Sequence, residues 1–230
     1  MRILILGDIH GRDIWKQIVA NEIFDKIIFI GDYFDTYDIS VEIQKQNFRD
    51  IIAYKIANMD KVILLFGNHD FHYLKNAKQH YSGFQAFQKI DIQELLEPNI
   101  KNGLIQMCYI YDNLLFSHAG ITKTWCKDND IDLNNIQNDI NDLFLFNSTS
   151  FHFAIGKNRC LYGDDINQSP IWVRPNSLKI DKIDNYIQIV GHTVQDNIIL
   201  TNDIILIDTL GTSKEYLIYD NGKFNISKLN

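Results

Sequence analysis

Proline is nearly missing from this 230-residue chain, with three in all. Together with the lack of any Gly/Ser-rich or low-complexity stretch, that scarcity leaves no candidate linker, and the chain reads as one domain over residues 1–230. Cysteine is equally sparse. Cys108, Cys126 and Cys160 are odd in number, widely spaced and without a C-x-x-C pair, which argues against a disulfide framework and a cysteine zinc site and fits a reducing compartment. No apolar run reaches the length of a membrane span. The short one at residues 3–6 is closed by Asp8, so it does not read as a signal segment; the expectation is a cytoplasmic protein with no membrane partner.

Positive charge is also short. The formal net charge is −7 and no predicted face gathers Lys and Arg, so the basic footprint of a nucleic-acid polymer binder is absent. Two bound dications would offset about four of those charges, which keeps small nucleotides among the possible ligands. Neither a P-loop nor a dinucleotide fingerprint occurs, and without a G-x-S-x-G elbow Ser117 is not a nucleophile.

What is present is a repeated pattern. Apolar, β-branched runs at residues 3–6, 26–30, 61–66 and 187–190 read as buried strands. Each ends in glycine and a polar residue: Gly7-Asp8, Gly31-Asp32, Gly67-Asn68 and Gly191-His192. Strand, glycine, ligand-type side chain, four times over, predicts ligands gathered on loops at the carboxyl edge of a sheet, where open α/β sheets bind their ligands. Apolar stripes Ile14, Trp15, Ile18, Val19 and Phe48, Ile51, Ile52, Ile56, with a third over residues 84–96, predict helices between the early strands. The second half reads as hairpins: one around Asp112-Asn113, then strands near 198–200, 203–208, 215–219 and 224–226 with an Asn221-Gly222 turn. From these a second, mostly antiparallel sheet is expected. The polar, Asn-rich stretch 121–182 is expected to be a lid or cap over the site.

The strand-end set is Asp8, His10, Asp32, Asp35, Asn68, His69, His118 and His192. Carboxylate, imidazole and amide without thiol suit Mn²⁺, Fe²⁺ or Zn²⁺. The set exceeds the needs of one tetrahedral ion, and a carboxylate can bridge two ions that clamp a phosphoryl group.

In these residues the chain resembles the calcineurin-like metallophosphoesterases. The blocks Asp8-Ile9-His10, Gly31-Asp32-Tyr33-Phe34-Asp35, Gly67-Asn68-His69-Asp70, Ser117-His118-Ala119-Gly120 and Gly191-His192-Thr193 follow the family's motifs in order, and Ile207-Asp208-Thr209 is similar to the segment that closes bacterial members. The resemblance implies a four-layer α-β-β-α sandwich of two mixed sheets flanked by helices. It implies two divalent metal ions, manganese first with iron or zinc as alternatives: Asp8 and His10 on one, Asp32 shared, and Asn68, His118 and His192 on the other. A water or hydroxide between the two would attack phosphorus. His69 and Asp35 would form the catalytic acid/base dyad, and Asn68 and Arg174 would touch the substrate phosphate. Asp70 reads as support for its loop and His72 as a possible neighbour of the site; His80 and His152 have no motif around them.

The motif style is similar to that of bacterial and phage serine/threonine phosphoprotein phosphatases and diadenosine tetraphosphate hydrolases. Val194 stands where many diesterases carry a second His, and Trp172-Val173-Arg174-Pro175 resembles the W-x-R segment of those relatives. One departure is Thr36-Tyr37 in place of Arg-Gly, which leaves a phosphate-binding arginine to be supplied by Arg12 or Arg174. The expected function is a phosphomonoesterase acting on a small phosphorylated substrate or a phosphoprotein. A nucleotide phosphodiesterase or pyrophosphohydrolase is the alternative, and a non-catalytic binding module on the same fold is the alternative from another class.

Overall fold

A computed structural model describes residues 1–154 and 163–229. Two sheets stack face to face. The first has the order β11-β10-β1-β2-β3-β4, built from β1 (Arg2–Leu6), β2 (Lys26–Phe29), β3 (Val62–Leu65), β4 (Ile105–Gln106), β10 (Glu215–Asp220) and β11 (Lys223–Lys228). The second has the order β5-β6-β7-β9-β8, from β5 (Cys108–Tyr111), β6 (Leu114–Ser117), β7 (Ile187–Val190), β8 (Ile199–Leu200) and β9 (Ile204–Leu206).

Strands β1 to β4 run parallel, as do β6, β7 and β9. Successive strand residues face opposite sides, so each strand divides its apolar residues between two cores. Ile3, Ile5, Ile28, Ile30 and Leu65 meet Leu114, Phe116, Ile189, Ile205 and Ile207 between the sheets. Leu4, Leu6, Ile27, Phe29, Val62 and Leu64 face outward into a core shared with Trp15, Ile18, Phe48, Ile51, Ile92 and Leu96. Those side chains come from α1 (Trp15–Asn21), α2 (Val41–Ala57) and α4 (Lys89–Lys101), the single turn α3 (Asn68–Phe71) following β3. Being covered on both faces explains why the parallel strands read as continuous apolar runs. With helices on the far side of the second sheet as well, the result is the four-layer α-β-β-α sandwich.

Four expectations need correction. The second sheet is mixed, not mostly antiparallel, because the hairpin β10–β11 pairs with β1 and completes the first sheet. The strand expected before Asp112 divides at Met107: β4 joins the first sheet and β5 the second. Ile56 lies 58% exposed, outside the buried stripe of α2. Finally, the described part of 121–182 is largely a packed layer rather than a lid. Trp125 and Cys126 of α5 (Lys123–Asp128) and Ile136, Ile140 and Phe144 of α6 (Ile136–Phe146) lie in the main core. The α6 side chains Asn141 and Gln137 bind the backbone of β5. The stretch reads as polar because those amides satisfy an edge strand that would otherwise present open N–H groups.

Cys108 and Cys126 are free and buried; Cys160 lies outside the described residues. Among the described residues, no helix is long and apolar enough to cross a membrane.

Candidate active site

The carboxyl ends of β1, β2 and β3 from one sheet and of β6 and β7 from the other open at the same place. Asp8, Asp32, Asn68, His118 and His192 sit there, all buried. Glycine precedes four of the five, and at each a Cβ would overlap a neighbouring atom; at two of them that atom is a carboxylate oxygen. A Cβ at Gly67 would overlap Asp32 Oδ1, and one at Gly191 would overlap Asp8 Oδ1. Each of these glycines makes room for a carboxylate from a neighbouring strand end.

The backbone at the site is strained. His10, Asp32, Asp35 and His192 hold left-handed φ values of 43°, 50°, 66° and 63°. For non-glycine residues this conformation is uncommon and persists only where the surroundings enforce it. Here the enforcing contacts are hydrogen bonds between the loops. The N–H of His10 donates to Asp32 O at 2.6 Å, that of His69 to Asp32 Oδ1 at 2.8 Å, and that of His192 to Asp8 Oδ2 at 3.0 Å. Asp70 ties two loops together, accepting the N–H of Tyr33 at 2.8 Å and of Gly67 at 3.0 Å, which is the supporting role its sequence position suggests.

Asp32 lies between two groups of donors. On one side His10 Nε2 is 3.8 Å from Asp32 Oδ2; on the other, His118 Nε2 is 3.4 Å from the same oxygen. Each of these imidazoles places its Nδ1 against a backbone carbonyl, Phe34 O at 2.7 Å for His10 and Ile30 O at 3.1 Å for His118. A carbonyl only accepts, so Nδ1 carries the proton and Nε2 presents its lone pair inward. That lone pair of His118 meets Asn68 Oδ1 at 2.9 Å, and His192 Nδ1 meets the same oxygen at 2.8 Å. Where the His118 lone pair meets Asn68 Oδ1 and Asp32 Oδ2, acceptor faces acceptor, an arrangement that a divalent cation resolves. Asp8, Asp32 and His118 also offer ligand atoms within 4.8 Å of one another, so the residues present fit a pair of divalent ions.

The electrostatics agree with this reading. Asp8, Asp32, Asp35, Asp70 and Asp208 are all buried around the cleft, and buried carboxylates need compensation. Burial, then repulsion from Asp208 and Asp32, pushes Asp8 well above the usual carboxylate range. Asp208, raised by burial and by Asp32, titrates at about 6. Asp32 goes the other way: burial opposes its charge, but positive charge on the side of His118, His69 and His10, carried by their protons in the metal-free protein, holds it well below the usual value.

Beside the Asp32 cluster, His69 Nδ1 lies 2.9 Å from Asp35 Oδ2. Burial would lower the imidazole's pKa, yet Asp32 and Asp35 raise it to about 9. Asp35 itself is fully enclosed: Tyr73 donates its hydroxyl to Oδ1, and His72 Nε2 lies against Oδ2. Arg174 reaches the cleft from the other side, its Nη1 donating to His192 O at 3.3 Å and Thr193 Oγ1 at 3.2 Å. Trp172 packs edge-on to His192 and Tyr81, with centroid separations of 5.7 and 4.2 Å, and is part of the cleft wall.

The structure thus brings Asp8, His10, Asp32, Asn68, His118 and His192 into one cluster, sets Asp35 and His69 beside it, and sets Arg174 at its rim. Thr36, at the position of the missing arginine, is buried. Arg12 lies toward the loop after β9, where a Cβ on Gly211 would meet its Nη2 at 2.7 Å. Sequence reasoning missed Tyr73 and Gln44, whose Oε1 takes the N–H of Asp35 at 2.9 Å, and it gave Asp208 no role at the cleft. A helix-interior glutamine carries no motif that could have signalled this; Asp208, at the end of an apolar strand like Asp8, did. His80 is exposed and stacks on Phe84, while His152 bonds the backbone of Thr149 and Asn76; neither enters the site.

Against known proteins, the sequence model of a family described as calcineurin-like phosphoesterase matches residues 1–196. Among solved structures, the chain is similar to a cold-active protein-tyrosine phosphatase of a psychrophilic Shewanella species, at 20% identity and a TM-score of 0.68, over 98% of this chain and 77% of that one. It is also similar to a metallophosphoesterase from Sphaerobacter thermophilus, at 14% identity and a TM-score of 0.52, over 100% of this chain and 89% of that one. At such identities the likeness is one of fold. No curated protein matches the sequence.

Proposed function

The chain belongs to the calcineurin-like phosphoesterases, and from that premise we propose that it hydrolyses phosphate monoesters with a pair of divalent cations. The observation that carries the proposal is the position of Asp32 Oδ2 between His10 Nε2 at 3.8 Å and His118 Nε2 at 3.4 Å. Asp8, His10 and Asp32 would hold one ion; Asp32, Asn68, His118 and His192 the other. When bound, such ions neutralise phosphate charge and bring the pKa of water toward neutrality.

The chain's own residues supply the rest. Asp35 holds His69 by Nδ1, which leaves Nε2 as the proton donor to the leaving oxygen. Water forms the new bond to phosphorus, the ester P–O bond breaks, and the departing oxygen takes the proton from His69. Arg174 offers a guanidinium for a phosphate oxygen, and Asn68, whose Oδ1 faces the two imidazoles, keeps its amide N–H groups for another. Manganese is the metal proposed, since a mixed imidazole and carboxylate set suits it.

Monoester preference is favoured by Val194, which is 67% exposed where a diesterase would carry a further His ligand. The missing arginine at Thr36 keeps a nucleotide phosphodiesterase or pyrophosphohydrolase as the second reading. The test is a manganese-supplemented panel of nitrophenyl phosphate, its bis ester, serine and tyrosine phosphopeptides and dinucleoside tetraphosphates. Turnover of the monoesters is expected; turnover confined to the diester and the dinucleotides would overturn monoester preference.

A further inference from the structure

We propose that His72 is a positioning residue that holds the proton donor His69 in place through the buried carboxylate of Asp35. The inference rests on the phosphoesterase reading and extends it to a residue outside the family blocks.

Asp35 Oδ2 is shared. His69 Nδ1 approaches it at 2.9 Å, and His72 Nε2 lies against the same oxygen. The side chains of both Asp35 and His72 are fully excluded from solvent, so water cannot replace either partner. The tautomer of His72 follows from its other nitrogen. The N–H of Tyr81 donates to His72 Nδ1 at 3.2 Å, so Nδ1 is the acceptor and Nε2 carries the hydrogen; Nε2 meets Asp35 Oδ2 as a close polar contact rather than an aligned hydrogen bond. The imidazole is braced by near-parallel stacking on Tyr81, 10° between planes, and by edge contacts with Tyr73 and Phe84. On the other carboxylate oxygen, Tyr73 donates its hydroxyl and in turn accepts the N–H of Gln85 at 2.9 Å.

The carboxylate is therefore gripped on both oxygens, and only the Oδ2 grip lies on the oxygen that orients His69. Remove His72 and Tyr73 still tethers Oδ1, but the carboxylate can turn about that tether and carry His69 Nδ1 with it. A proton donor displaced by about 1 Å can lose on the order of 10²-fold in rate. The loss falls on the protonation step, so it must grow as the leaving oxygen becomes more basic. Loss of packing alone would slow every substrate alike.

The experiment compares wild type with His72→Leu, His72→Gln and His72→Asn on phenyl, chlorophenyl and nitrophenyl phosphates in excess manganese. Wild-type turnover checks the phosphoesterase reading by itself: no turnover of any ester rejects that reading, whatever His72 does. Given turnover, His72→Leu should lose about 10–100-fold in kcat on phenyl phosphate and progressively less toward nitrophenyl phosphate, with KM held. Glutamine, whose Nε2 reaches the place of the imidazole Nε2, should restore the wild-type dependence on leaving group. Asparagine, too short to reach it, should behave like leucine, which keeps the test alive should the leucine variant fail to fold. Equal losses on all three esters, or no loss, or a glutamine variant as impaired as asparagine, would overturn the proposal.

Discussion

At the residue scale, the site sets two buried groups against each other. Asp8 and Asp208 are both raised, by burial first and then by their carboxylate neighbours, whereas Asp32 and Asp35 are held down by imidazoles despite burial. The sign follows for the metal-free protein. Asp208 ionises at about 6 in the folded chain against 3.8 ordinarily, so its stabilising share is complete below pH 4 and falls as pH rises through 6. Cations would reverse that penalty by binding the ionised form. The gain in Tm from saturating Mn²⁺ should therefore be larger at pH 7 than at pH 5, read by calorimetry at both; an equal gain would show that these carboxylates do not compete with protons for metal.

Two substitutions belong to the same scale. His69→Ala should lower kcat by about 10²–10⁴-fold, the usual worth of a general acid, while leaving metal content unchanged by elemental analysis. Unchanged turnover would remove His69 from the chemistry. Gly191→Ala places a methyl against Asp8 Oδ1 without removing any proposed ligand, and by displacing that carboxylate should weaken manganese affinity by about 10–100-fold. Calorimetric titration reads it, and an unaltered affinity would show that the loop yields.

At the scale of elements, the site depends on how two sheets stack. Asp8, Asp32 and Asn68 follow strands of one sheet, and His118 and His192 follow strands of the other. Phe116, fully buried between the sheets and two residues before His118, links packing to the site. Phe116→Ala should cost about 3–5 kcal/mol, measured as a lowered urea midpoint, and should be partly recovered by manganese. A loss below about 1 kcal/mol would mean that the sheet interface is not rigid there.

The same scale shows what the sequence could and could not reveal. The strand-glycine-ligand repeats were legible because steric need and ligand chemistry both act locally: Gly67 and Gly191 are required by carboxylates that land on them. The return of β10 and β11 to pair with β1 was not legible, since strand pairing across some 200 residues leaves no local period. Nor was the role of α6, where Asn141 and Gln137 look like solvent-facing amides until the open edge of β5 is set beside them. His72 was legible as a neighbour of the site but not in what it does; that depends on Tyr81 and Asp35, which the fold alone brings to it.

At the scale of the whole molecule, the net charge of −7 and the five buried carboxylates around one cleft favour the binding of cations there. On the proposed reading, two of them share Asp32. Diffraction from crystals grown with manganese, recorded at the manganese absorption edge, tests this most directly. Two anomalous peaks are expected about 3.5–4 Å apart, one beside Asp8 and His10 and the other beside Asn68, His118 and His192, with the Asp32 carboxylate between them. A single peak, or none in that cleft at saturating manganese, would contradict it.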